Sequence, residues 1–255
     1  MIKAILFDIS GVLHVDNVPV NGAVELIQAL QKKRFPMRFV TNTSRSTSSA
    51  ILLSLQKMGF DVQADDIFTA PVAVKHVCMQ RDLRPFFLIH PDLMPEFKEL
   101  NQRSPNAVVV ADAAERFDYK HLNRAFSLLM DGAPLLGIGR NRYFKSSGRL
   151  QLDAGPFIQA LEYAANVEAE ILGKPAEGFF HAAVSSMGLQ PEQVLMIGDD
   201  IEADVLGAVD AGLHACLVRT GKFLPQDEEK LKTAKVAETV VEAVAAYIET
   251  TEDGA

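Results

Sequence analysis

Short apolar runs alternate along this chain with stretches in which apolar residues recur every three or four positions, a pattern that argues for an α/β protein built on a parallel sheet. The run over residues 3–7 is followed by Asn21-Gly22 and then by Val24, Ile27 and Leu30 at helical spacing. A second run, Met37 to Val40, ends at Thr41-Asn42-Thr43-Ser44. The helix expected after it carries Ile51, Leu52, Leu55 and Met58 and stops at Gly59, a residue suited to a helix end. Ile67-Phe68-Thr69 runs into Pro71, and Val194 to Ile197 and His214 to Val218 complete five expected strands of one sheet.

From about residue 82 to 158 the alternation continues, but the stretch carries no chemistry-bearing motif, so it reads as an inserted second α/β domain within a core of 1–81 and 159–255. Its expected strands are Phe86 to Ile89, Ala107 to Val110 and Leu135 to Ile138, and its helix sets Tyr119, Leu122, Phe126 and Leu129 on one face. Ser146-Ser147-Gly148, between Arg142-Tyr143-Phe144 and Arg149-Leu150-Gln151-Leu152, predicts a hairpin. A last amphipathic helix with Val240, Val241, Val244 and Ile248 precedes a polar tail, Thr250 to Ala255, that is expected to fray.

The 255 residues, 48% hydrophobic and 23% charged, are enough for one large domain or two modest ones. A formal charge of -8 argues against nucleic acid or an anionic membrane surface as a partner. Met1 leads directly into an apolar strand with no leader pattern before it, and no apolar run approaches membrane-spanning length. Cys78 and Cys216 stand far apart without a CxxC partner, which argues against a disulfide framework or a zinc site and makes a reducing cytoplasm the expected location. The six histidines show neither HxH nor HExxH spacing, so none is a candidate metal ligand.

Four segments place polar groups just after a strand or in a loop leaving the core, where open α/β sheets bind ligands. Asp8 closes the apolar run of Leu6-Phe7-Asp8-Ile9-Ser10-Gly11-Val12-Leu13, and Thr41-Asn42 follows the second strand. Lys174 lies in Leu172-Gly173-Lys174-Pro175, where glycine and proline fix a turn. Ile197-Gly198-Asp199-Asp200, with Asp204 beyond it, follows the fourth strand. Taken singly, each is ordinary capping or turn chemistry, and Asp200 reads as a residue of a solvated loop.

In this order the four segments resemble the motifs of the haloacid dehalogenase superfamily, whose fold is a Rossmann-like parallel-sheet core. An insert between the second and third motifs is similar to the α/β cap of the NagD-like branch. The resemblance implies phosphoryl transfer with Asp8 as nucleophile and Lys174 as catalytic cation. Phosphoryl transfer needs positioning and charge neutralisation above all. It further implies Mg²⁺ held by Asp8, the Ser10 backbone carbonyl and Asp199, with Asp204 orienting Lys174 or a metal-bound water. Thr41 and Asn42, with Ile9 and Ser10 of the Asp8 turn and Lys174, are the implied phosphate-binding positions.

One departure stands out. The superfamily usually has a second Asp two residues after the first, to handle the leaving-group proton, and here that position is Ser10. Asp8 to Leu13, Leu83-Arg84-Pro85 through Leu88-Ile89-His90, Ala160 to Ala164 and Arg219-Thr220-Gly221-Lys222 resemble a subgroup that shares this serine. That resemblance implies a cytoplasmic, Mg²⁺-dependent phosphatase for inorganic pyrophosphate and nitrogen-bound phosphate, a homodimer through the cap. Arg140, Arg142, Lys145 and Arg149 make the hairpin region basic, either as a second anion contact or as ordinary surface charge, and His90 and Tyr143 divide in the same way between packing and substrate contact. The alternatives are a general phosphomonoesterase for small metabolites and a binding protein that kept the fold after losing catalysis.

Overall fold

The computed structural model describes residues 1–43, 45–146, 149–231 and 233–248, and the chain forms two compact units. The first comprises Met1–Thr41, Ser49–Phe68 and Lys174–Ala255. The second comprises Asn42–Ser48 and Thr69–Gly173. No helix among the described residues is long and apolar enough to cross a membrane.

The first unit is built on a six-stranded sheet in the order Lys235–Ala237, His214–Val218, Val194–Gly198, Ala4–Asp8, Met37–Thr41, Ile67–Thr69. The pairings from Lys235–Ala237 across to Met37–Thr41 are parallel. Ala4–Asp8 and Val194–Gly198 are buried at every residue, as a parallel strand covered on both faces must be, which explains their unbroken apolar character. From Ala4–Asp8 the chain builds the sheet outward on one side, then returns to build the other side from Val194–Gly198. These two neighbours therefore flank the crevice where such sheets bind ligands.

Five of the six strands are those expected from the sequence. The sixth, Lys235–Ala237, is three residues long and begins on an exposed lysine, too little pattern to register as a strand. Beneath the sheet, Phe7 and Phe39 stack with ring centroids 6.0 Å apart, among fully buried Ile5, Leu13 and Ile27. Each such side chain contributes about 1.5–3 kcal/mol on burial, so this core fixes the strand ends that carry polar residues. The helix Ala23–Lys32 turns Ala23, Ile27 and Leu30 inward, while Val24 is only partly buried.

The second unit has a four-stranded parallel sheet in the order Glu170–Ile171, Leu135–Gly137, Ala107–Val110, Pro85–Leu88. Its core gathers Leu88, Val108, Val110, Leu135, Ile158 and Leu161. The helix Tyr119–Met130 buries Ala125, Leu128 and Leu129, but Tyr119 is 85% exposed and does not share the expected apolar face. It is the first helical residue, directly after the capping Asp118, and helical side chains lean toward the N-terminus, which carries it past the core. The expected hairpin is present as Tyr143–Ser146 paired antiparallel with Arg149–Leu152. Its Ser147-Gly148 turn and the tail Thr250 to Ala255 lie outside the described residues.

Candidate active site

Parallel register delivers the first groups. Phe7 pairs with Ile197, so the chain leaves the two central strands at one level, with Asp8 ending one and Gly198-Asp199 ending the other. Asp8 also pairs with Val40, so Thr41 emerges on the far side of Asp8 at the same edge of the sheet. Thr41 is half-buried at its strand end. Asn42 belongs to the second unit, where its amide oxygen packs against Gly173: a Cβ on that glycine would come within 2.8 Å of it and within 2.1 Å of the Ile138 carbonyl oxygen.

Lys174, Asp8, Asp199 and Asp204 converge. Lys174 is 3% exposed, follows Gly173 and precedes Pro175 through a cis peptide. Its Nζ donates to Asp8 Oδ1 and to Asp204 Oδ1, both at 2.5 Å. Asp204 comes from the helical turn Ile201–Leu206, which is capped by Asp200: Asp200 Oδ1 accepts the Glu202 and Ala203 N–H groups. Asp204 Oδ2 accepts the Asp200 N–H at 3.2 Å, so both of its oxygens are occupied. It reaches this position only because residue 198 is glycine, where a Cβ would overlap Asp204 at 2.1 Å. Asp200 is therefore a cap with a defined partner rather than the solvated loop residue expected from the sequence.

Asp199 is held by a turn that the sequence reading did not bring into the site. The Lys222 N–H donates to Asp199 Oδ2 at 2.7 Å, and the Thr220 hydroxyl donates to the Gly11 carbonyl. Gly11 and Gly221 face this carboxylate from two sides, and a Cβ on either would lie within 2.1 Å of Asp199 Oδ2. The signal was available: Thr220-Gly221-Lys222 follows the fifth strand at the edge of the sheet where the other polar groups emerge. Ile9 is buried, with its carbonyl accepting from the Leu13 N–H at 3.0 Å. Ser10 is exposed, and its carbonyl accepts no backbone hydrogen bond among the described residues.

The electrostatics follow from burial. Loss of water pushes the Asp8 carboxyl above its ordinary range; the Lys174 ammonium pulls it part of the way back and Asp199 pushes it up again. Asp199 is raised to about 6 by burial and the neighbouring Asp204, against the Lys222 N–H bond. Burial opposes the charge on Lys174, but Asp204 and Asp8 more than offset it, so that ammonium holds its proton more tightly than usual.

Oxygens from Asp8, Asp199 and Asp204 lie within 4.8 Å of one another. Asp204 is engaged on both oxygens, whereas Asp8 Oδ2 and Asp199 Oδ1 have no hydrogen bond among the described residues. Two buried carboxylate oxygens and an available backbone carbonyl make a hard-oxygen donor set, which fits a small divalent cation. Among the basic and aromatic groups of the second unit expected either at the substrate or at the surface, the side chains of Lys145 and Arg149 lie outside the described residues, and the others have partners within the unit. Arg140 pairs with the buried Glu162 at 2.5 Å, and His90 Nδ1 accepts the Asp92 N–H at 3.2 Å. Tyr143 is 53% exposed, with the Arg142 guanidinium 5.9 Å from its ring centre.

Comparison with known proteins agrees with this geometry. A haloacid dehalogenase-like hydrolase model matches residues 5–103, and a HAD-hydrolase-like model matches residues 171–244. Haloacid dehalogenase-like hydrolase domain-containing protein 2 of Bos taurus is 43% identical over 233 residues, which cover 91% of this chain and 90% of that protein. The chain belongs to the haloacid dehalogenase-like hydrolases. Phospholysine phosphohistidine inorganic pyrophosphate phosphatase of Xenopus laevis is 40% identical over 235 residues, covering 89% of this chain and 87% of that one. Among solved structures, a 4-nitrophenylphosphatase from Thermotoga maritima superposes with a TM-score of 0.85 at 25% identity, covering 95% of this chain and 96% of its own. NagD from E. coli K-12 shares the fold, with a TM-score of 0.84 at 22% identity over 94% of this chain and 98% of its own. The fold is thus the α/β fold shared with NagD, and the chain is a hydrolase of haloacid dehalogenase-like type.

Proposed function

We propose that this chain is a Mg²⁺-dependent phosphohydrolase that works through an aspartyl-phosphate on Asp8 and acts on inorganic pyrophosphate and N-phosphorylated compounds. The observation that carries the reading is one buried ammonium, Lys174, bridging Asp8 and Asp204 at 2.5 Å beside a second available carboxylate, Asp199. A structural ion pair needs one acid for one base; this cluster keeps an excess of buried carboxylate, which is costly unless a cation joins it.

Asp8, the Ser10 carbonyl and Asp199 are the groups that would hold Mg²⁺. When bound, the ion supplies charge neutralisation for the carboxylates and for a phosphoryl oxygen. An Asp8 oxygen attacks phosphorus; the bond from phosphorus to the leaving group breaks with its electron pair going to that group, and water then hydrolyses the acyl phosphate. Lys174 steadies Asp8 and neutralises the transferring oxygens, and Asp204 fixes Lys174 in that position. Thr41 and Asn42, with the Ile9-Ser10 turn, take the phosphoryl-binding role implied by their place after the strands.

The substrate class follows from Ser10 and from the relatives. Serine cannot supply the proton of a carboxylic acid, and such help is typically worth about 10² to 10⁴ in rate. An alkoxide leaves poorly without it. Phosphate leaving from pyrophosphate, or a nitrogen protonated before departure, needs it far less, and the 40% identical relative carries both substrate types in its name. The insert over residues 82–158 takes the place of the family's α/β cap, and its exposed Tyr119 suits it for homodimerisation. Two buried free thiols, Cys78 and Cys216, suit a cytoplasmic location.

A phosphate-release screen with Mg²⁺ over pyrophosphate, phosphoramidates, phospholysine, p-nitrophenyl phosphate and alkyl phosphates tests the proposal. Turnover concentrated in the first three and the aryl ester is expected. Preference for alkyl esters would replace it with a general phosphomonoesterase, and no turnover of any compound would replace it with a binding protein.

A further inference from the structure

Two ammonium groups act on the Asp8 carboxylate, those of Lys174 and Lys222, and they differ in how fully they are engaged. Lys174 is buried and held by two acids at 2.5 Å. Lys222 is anchored through its backbone, because its N–H fixes Asp199 at 2.7 Å and so sets its Cα at the rim of the carboxylate cluster. Its side chain is 69% exposed, and its Nζ donates to Asp200 Oδ2 at 3.3 Å. Exposed pairs of this kind contribute little, so this one yields readily to a more highly charged partner. Asp200 does not depend on it, since its other oxygen caps the following turn through the Glu202 and Ala203 N–H groups.

The charge balance of the cluster gives that ammonium a task. Asp8, Asp199 and Asp204 are buried and the cation they are expected to hold answers their charge, so at the rim a second phosphoryl group would meet Asp200 and the exposed Lys222 ammonium. We propose that the Lys222 ammonium exchanges Asp200 for the departing phosphoryl group of a diphosphate, making Lys222 the residue that sets the preference for inorganic pyrophosphate over single-phosphate esters. When an Asp8 oxygen attacks one phosphorus, the bridging P–O bond breaks and its electron pair stays on the oxygen of the departing phosphate. The Lys222 N–H groups donate to the charge that grows there, and no proton need be transferred, which accommodates the serine at position 10. This inference rests on the pyrophosphatase reading above.

The test compares kcat/KM for pyrophosphate and for p-nitrophenyl phosphate at one free Mg²⁺ concentration in the wild-type protein, K222M and K222R. Methionine keeps the backbone N–H and the length of the side chain while removing its charge. The ratio of pyrophosphate to aryl ester is expected to fall about tenfold or more in K222M, with kcat for pyrophosphate falling as well as KM rising, and to recover most of that loss in K222R. Melting curves establish that the variants are folded, and K222Q serves in place of K222M if methionine lowers the melting temperature. An unchanged ratio in a wild-type protein that does cleave pyrophosphate would overturn the role of Lys222 and leave the substrate reading intact. No pyrophosphate turnover by the wild-type protein would overturn both.

Discussion

Replacing Lys174 with methionine removes the buried cation from a cluster of three acids while nearly preserving volume, and its cost can be worked out from the distances. Carboxylate oxygens of Asp8, Asp199 and Asp204 lie within 4.8 Å of one another, a separation at which each ionised pair repels by about 3 kcal/mol for an effective dielectric constant of about 20. Breaking a buried ion pair by deleting one partner costs about 3–5 kcal/mol, and in a protein of this size each kcal/mol lowers the melting temperature by about 2–4 °C. Measured by circular dichroism in excess chelator, K174M is therefore expected to melt about 6–20 °C below the wild type. The sign with pH is fixed as well. A carboxyl whose pKa is higher in the folded than in the unfolded chain binds its proton more tightly when folded, so stability falls as pH rises through that interval. Asp199 is already at about 6 with Lys174 present, so the deficit of K174M should be small near pH 5 and fully developed near pH 8. Adding D204N removes one of the stranded charges and should recover about 2 kcal/mol or more in a double-mutant cycle, without restoring phosphate release. A K174M protein that melts with the wild type at both pH values, with a coupling below about 0.5 kcal/mol, would refute the account of Lys174 as the cation on which this cluster depends.

Asp8→Asn should abolish phosphate release while leaving the protein folded, with a native circular dichroism spectrum and a cooperative melting curve, because the amide is a poor nucleophile but keeps the shape and Asp204 still holds Lys174; most of the wild-type activity surviving would exclude Asp8 as nucleophile. Activity should require Mg²⁺ and be inhibited by Ca²⁺, whose longer and looser coordination misplaces the attacking oxygen, and D199A should raise the Mg²⁺ requirement steeply in a titration of rate against metal; full activity in excess chelator would be incompatible with the proposal. Ser10→Asp should narrow the preference for good leaving groups by improving alkyl phosphates most in kcat/KM; equal or better turnover of alkyl esters by the unmodified protein would mean that another group delivers the proton.

The parallel sheet was legible because its central strands are short, continuously apolar and bounded by turn residues, and each of these properties has a local cause. Val194–Gly198 and Ala4–Asp8 are buried on both faces, so nothing polar interrupts them until the chain leaves the sheet. Where burial is one-sided or brief, the pattern fades. Lys235–Ala237 exposes its first residue and buries only its last, and Glu170–Ile171 is two residues of intermediate burial, so both pair through backbone hydrogen bonds that leave no trace in side-chain periodicity. Tyr119 shows the opposite failure: the helical period was real, but a terminal position carries its residue out of the core.

At the site, the legible residues were those whose side chains converge from segments that also hold a glycine or proline, as with Asp8, Lys174 and Asp199. Less legible were residues that act through their backbone or by being small. Lys222 holds Asp199 through an N–H that every residue except proline possesses, and Gly11, Gly198 and Gly221 matter for the Cβ they lack. Asp200 was misread for a related reason, since its partners are the main-chain N–H groups of Glu202 and Ala203, which carry no identity in the sequence. Close approach of backbones is what makes a carboxylate cluster this tight, with Gly11 and Gly221 closing on one acid while Gly198 admits another. Any side chain at these three positions would have to move an acid, so the spacing of the carboxylates depends on the glycines as much as on the aspartates themselves.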